Sequence, residues 1–140
     1  MPIEFPLGTK VISLGRVANP VVPLLLLTRS SGYVPFDFLI DTGADCSMIS
    51  AAVAEAELGV NLARRPQDVF FGIEGGGVRV YRGWLSLKIG PHPLRARCVF
   101  SPHERSPFIL GRMDVFRRFT ITFDNRRRDI RFTKIPSSPG

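Results

Sequence analysis

A chain of 140 residues, 44% hydrophobic and 22% charged, fits one globular domain around one core. Two cysteines exclude a disulfide framework, and the longest apolar run, Val21 to Leu27, is broken by Pro23 and is too short to span a bilayer. The formal charge of +7 is almost all arginine, scattered along the sequence, which favours a solvated surface over a nucleic-acid partner.

High glycine and proline, with many phenylalanines and β-branched residues, predict a mostly β chain with frequent turns. The start, Met1-Pro2-Ile3-Glu4, has no basic segment leading into an apolar core, so no signal peptide is expected. With Cys46 and Cys98 read as free thiols in a reducing compartment, the expectation is a cytoplasmic protein with no membrane partner.

In chain order, residues 1–20 read as an extended lead-in with a strand at Val11-Ile12-Ser13-Leu14. Val21 to Thr28 reads as a strand buried on both faces in its middle, and Ser30-Ser31-Gly32 as a turn. Tyr33 to Ile40 is a strand that drives into Asp41. An alanine-rich helix follows from Ser50 as cap to Gly59 as stop. Val69-Phe70-Phe71 and Val78 to Tyr81 flank the glycine cluster 72–77, giving a hairpin with a mobile tip. Trp84 to Ile89 and Leu94 to Phe100 alternate as strands. Phe108-Ile109-Leu110 is a short buried strand, Gly111 turns the chain, and a brief helix is expected from Met113 to Arg118. Phe119 to Phe123 and Asp129 to Thr133 make a terminal hairpin around Arg126-Arg127-Arg128. Residues 1–135 are expected to form one domain and 136–140 a disordered tail.

The stretch Phe38-Leu39-Ile40-Asp41-Thr42-Gly43-Ala44-Asp45 holds an acid rigidly beside a tight bend. Together with Ile109-Leu110-Gly111-Arg112, it resembles the retropepsin-like (retroviral-type) aspartic protease family. There a D-T-G-A-D turn packs against an I-L-G-R turn. The resemblance runs from about Val21 to Phe132. It implies an all-β acid protease barrel with one or two short helices and a glycine-rich flap hairpin. It implies that Asp41 is catalytic, that Thr42 and Gly43 rigidify the turn, and that Ala44 lines the cleft. It also implies that Asp45 and Arg112 pair to buttress that turn, and that Ile73, Glu74, Gly75, Gly76 and Gly77 form the flap over an extended peptide substrate. An acid at Glu74 would favour a basic substrate or move the pH optimum. The longer segment between Asp41 and the flap, and the terminal hairpin, look more like bacterial and cellular relatives than the viral enzymes.

Hydrolysing an amide with carboxylates takes two of them close together, because they cannot both ionise easily and so divide the acid and base roles. This chain has one Asp-Thr-Gly, Asp45 lies past the turn, and Asp114 and Asp124 sit in segments without a matching turn. The second carboxylate must come from a second copy, so a protease reading demands a homodimer. No cofactor is implied, and the two histidines and two cysteines lack metal-ligand spacing. Cys46 could lie near the cleft, as a small buried residue before a redox element. The alternatives are a non-catalytic peptide-binding or dimerisation domain on the same fold, and a basic nucleic-acid-binding β-barrel that would rely on Arg126 to Arg128.

Overall fold

The computed structural model describes residues 1–71 and 75–137. Glycine-cluster residues 72–74, including the expected flap residues Ile73 and Glu74, lie outside the described residues, as does the end of the expected tail, 138–140. The architecture is all-β with one short α-helix.

The main sheet has seven strands, in the order β4 (Val21–Thr28), β5 (Gly32–Ile40), β10 (Phe108–Leu110), β6 (Ser47–Ser50), β9 (His92–Ser101), β8 (Gly77–Ile89) and β7 (Gln67–Phe71). Leu25 and Leu26 of β4 pair with Lys88 and Leu87 of β8, so the sheet curls shut and leaves β7 outside. Closure covers the edge of β4 and leaves β7 as an edge strand. Inside lie Val22, Leu24 and Leu26 of β4, Phe38 and Ile40 of β5, and Leu85, Leu87 and Ile89 of β8, all nearly inaccessible to water. β4 was expected to bury both faces; it alternates instead, with Pro23 and Leu27 exposed. The curled sheet has only one inside.

A three-stranded sheet joins the chain's two ends, in the order β1 (Ile3–Pro6), β12 (Asp129–Lys134), β11 (Phe119–Asp124). Phe5 and Phe119 meet the edges of Phe132 at 5.7 and 6.0 Å, a favoured aromatic geometry. The expected terminal hairpin is present, and β1 is its added third strand. The lead-in departs from expectation. Among the described residues, β2 (Gly8–Ile12) and β3 (Gly15–Asn19) pair only with each other, and Ser13-Leu14 is their turn, with Gly15 at a φ of 130°. Val11 and Leu14 stand exposed on this hairpin.

The helix α1 (Ala51–Leu58) begins and ends as its sequence predicts. The Ser50 hydroxyl accepts the Val53 N–H at 3.2 Å, and Gly59 closes it in the left-handed region at φ 68°. The second expected helix does not form. Residues 112–118 run through successive turns, because Asp114 sits at φ 67°, where a right-handed helix cannot continue.

Candidate active site

Two parallel strands deliver the two motif turns side by side. β5 and β10 run together, with Leu110 opposite Ile40, so Asp41 and Gly111 leave the sheet as neighbours. The Asp41 N–H donates to the Leu110 carbonyl at 3.1 Å. Beyond the sheet, the Arg112 and Met113 amides donate to the Ala44 and Asp45 carbonyls at 3.0 and 2.9 Å. Backbone therefore stitches one turn to the other before any side chain acts.

The Asp41 turn is internally braced. Ala44 N–H donates back to the Asp41 carbonyl at 3.2 Å, and Gly43 N–H donates to Asp41 Oδ1 at 2.9 Å. The second bond is an Asx turn, which fixes the carboxylate's orientation. Asp41 is half-buried, while Thr42 and Gly43 are exposed at the tip.

Arg112 reaches across this turn. Its guanidinium donates to the Thr42 carbonyl at 3.2 Å and pairs with the Asp45 carboxylate. The family resemblance implies this pair, and the fold brings the two side chains together. The Asp45 side chain is 85% exposed, so the pair adds only about 0–1 kcal/mol to stability, and its effect is to orient the turn.

A second ion pair, which sequence reading missed, anchors the other turn. Asp114 is buried and accepts from the Arg97 N–H at 2.8 Å, Nε at 3.0 Å and a terminal guanidinium nitrogen at 2.9 Å. Arg117 reaches the same carboxylate at 3.1 Å. These contacts clamp the segment after Gly111 onto β9. The Arg97 hydrogen bonds hold the Asp114 carboxyl at a pKa of about 2, below its ordinary value of 3.8. A depressed folded-state pKa adds stability above the unfolded value, and that stability disappears as pH falls toward 2. Asp114→Asn keeps a residue tolerant of the left-handed backbone, removes the charge and turns one accepting oxygen into an N–H donor facing the guanidinium groups. It is expected to cost about 2–4 kcal/mol at neutral pH by urea unfolding. The gap to wild type should close near pH 2; an equal gap at both pH values would show that the charge is not what matters.

The Asp41 turn opens into a cleft of about 590 Å³. Met48, Val80, Val99 and Ile109 give it apolar walls, and Phe70 and Phe71 lie on the arm above. Met48 falls between buried Ser47 and Ile49 on β6, so its strand period of two was a signal that it faces elsewhere. The two arms of the expected hairpin pair as β7 and β8, with Phe71 opposite Gly77 at the last described step before its tip. Ala44 and Asp45 line the cleft, and so does His103 of the loop between β9 and β10. Gly75 and Gly76 have open space around them.

Cys46 also lines the cleft, half-buried, and burial with nearby Asp45 and Asp68 pushes its thiol pKa up. Burial pushes Cys98 up further. Both thiols are free and held protonated, which makes them poor nucleophiles. Among the described residues, no three His, Cys, Asp or Glu side chains converge as metal ligands, and no helix is long and apolar enough to cross a membrane.

The family model described as gag-polyprotein putative aspartyl protease matches residues 29–118. Among solved structures, the chain is similar to "EIAV protease complexed with the inhibitor HBY-793". Identity is 24%, over 67% of this chain and 82% of that one, with a TM-score of 0.52. It is also similar to a retropepsin-like aspartic protease from Rickettsia conorii, at 16% identity over 94% of this chain and 91% of that one, with a TM-score of 0.64. At these identities the likeness concerns the fold. The Rickettsia structure follows much more of the chain than the EIAV structure does, in line with the expected nearness to bacterial relatives. A comparison with curated proteins finds no match.

Proposed function

This chain belongs to the retropepsin-like aspartic protease family, and from that premise we propose that it is an aspartic endopeptidase working as a homodimer. Each chain gives one Asp41 to a shared dyad. One carboxylate takes a proton from water as its oxygen attacks the peptide carbonyl, while the other, protonated, donates to the carbonyl oxygen. Thr42 and Gly43 keep the turn rigid, Ala44 lines the cleft, and Asp45 with Arg112 buttresses the turn. The flap, residues 73–77, covers an extended peptide bound as an added strand.

The observation that carries this reading is the cleft's supply of acid. Among the described residues, only Asp41 and Asp45 line it, and Asp45 is engaged by Arg112. One free carboxylate cannot act as acid and base at once. Thr42, exposed at the tip of the turn, is where a two-fold partner would meet it. A single domain over 1–135 is supported by the pairing of β1 with β12, which ties the chain's start to its end. The cytoplasmic placement rests on the two free thiols.

Concentration dependence tests the shared site. Activity per chain is expected to rise with protein concentration as dimers form, and to fall when chains carrying Asp41→Asn are added, because a mixed dimer has one competent carboxylate. Activity from a species that sediments as a monomer would overturn the proposal. A dimer that binds peptides and never cleaves them would leave the non-catalytic binding domain.

A further inference from the structure

The fold builds a second concave site that shares no lining residue with the Asp41 cleft. It is a groove of about 370 Å³ between the end of α1 with residues 59–65 and strands β8 and β9, with the buried Gly83 and Phe100 at its base and the outward-facing Trp84 and Arg95 at its side. A Cβ at Gly83 would stand 2.4 Å from the Phe100 ring, so glycine is what lets the floor lie flat. Arg64, Arg65 and Arg95 line the groove, and among the described residues no acidic one does. Arg29 lies against Gly59 at its rim, and Arg82 stands two positions before Trp84 on the same outer face of β8. Among the described residues, Arg29, Arg64, Arg65, Arg82 and Arg95 form no ion pair. Arg65 Nε donates to the Arg82 carbonyl at 2.9 Å. In the Arg126 to Arg128 run, Arg127 pairs with Glu4 and Asp129, and Arg128 is bonded to Asn125 and the Leu7 carbonyl.

Trp84 stands at the groove's side, 46% exposed. The Arg95 guanidinium sits 4.7 Å from its ring centre and that of Arg97 5.9 Å. Arg97 is fixed in turn by Asp114. An indole layered with guanidinium offers a flat platform on which the next π-system can stack, beside cations that suit phosphate. We propose that this groove binds single-stranded nucleic acid, with phosphates on Arg64, Arg65 and Arg95 and a base stacked on the Arg95–Trp84 layer. An acidic peptide would use the cations and leave the platform idle. A duplex would keep its base faces stacked within itself.

Trp84 is the only tryptophan, so its fluorescence reports this site alone. Titration with fluorescein-labelled eight-residue oligo(U) and oligo(dT) is expected to quench it in step with a rise in label anisotropy. The log–log salt slope should be about −2, for roughly three phosphates held by single-strand contacts. Binding of either oligomer supports the site, and the tighter one says which nucleic acid it serves. Trp84→Leu should weaken binding about tenfold, by loss of one stacked base. The exposed pair Arg64→Gln and Arg95→Gln should weaken it about tenfold and flatten the slope, while Arg126→Gln with Arg127→Gln changes little. Circular dichroism would verify that each variant is folded. Absence of binding at low salt would overturn the proposal, as would unquenched binding, tighter binding to a duplex, or tighter binding to a glutamate-rich peptide.

Discussion

Asp41→Asn is expected to abolish peptide hydrolysis, by about 10⁴-fold or more, and to leave the fold and the association state unchanged. The reason lies in how the turn is built. Gly43 N–H bonds to Asp41 Oδ1, and an amide oxygen in the same place accepts that bond equally well. The Ala44-to-Asp41 backbone bond and the link from Asp41 N–H to Leu110 involve no side chain. Asparagine therefore preserves every contact that holds the turn and removes the ability to take or give a proton. Cleavage of a peptide library, measured beside circular dichroism and sedimentation, separates the outcomes. An active variant would remove Asp41 from the chemistry. An inactive variant that is also unfolded or newly monomeric would say only that the turn is structural.

Gly111→Ala is expected to cost about 3 kcal/mol or more, among the largest effects of a single methyl group in this chain. A Cβ there would lie 2.3 Å from the Cys46 carbonyl oxygen and 2.4 Å from its carbon. Both atoms are backbone, so no rotamer change relieves the overlap. Nor can the strands easily part, because Gly111 N–H donates to the buried Ser47 hydroxyl at 3.1 Å and Arg112 N–H to the Ala44 carbonyl. The strands would have to separate at the point where the two motif turns meet, and activity should fall with stability. Gly76→Ala is the control, since a Cβ at that position meets nothing within 4 Å. Urea midpoints of the two variants test the contrast, and near-equal midpoints would mean that the close approach at Gly111 has slack.

What was legible in the sequence was mostly local. The Ser50 cap and Gly59 stop bounded α1 correctly, because each acts through hydrogen bonds within one turn of the helix. β4, β5 and β10 were read from apolar runs ended by glycine, proline or serine turns. The Asp41 turn was legible because an Asx bend is a two-residue device. Arg112 was found only through the family resemblance, since 67 positions separate it from Asp45 and nothing local marks it as a partner.

The rest depended on distant segments meeting. Ile3–Pro6 carries too little pattern to be read alone, and it is a strand because β12 offers it an edge. Residues 113–118 were expected to be helical, and the half-buried Arg97–Asp114 contact holds Asp114 where a helix must end. Sequence by itself determined the alternation, the turns and the single Asp-Thr-Gly, and hence the need for a second carboxylate from elsewhere. Tertiary structure decided which arginines became neighbours. Scattered along the chain, they read as a solvated surface. Pairing β8 with β9 and laying residues 58–65 beside them gathers several around one tryptophan. Charge density is a property of surfaces in space, and a linear sequence does not contain it until the strands are in register.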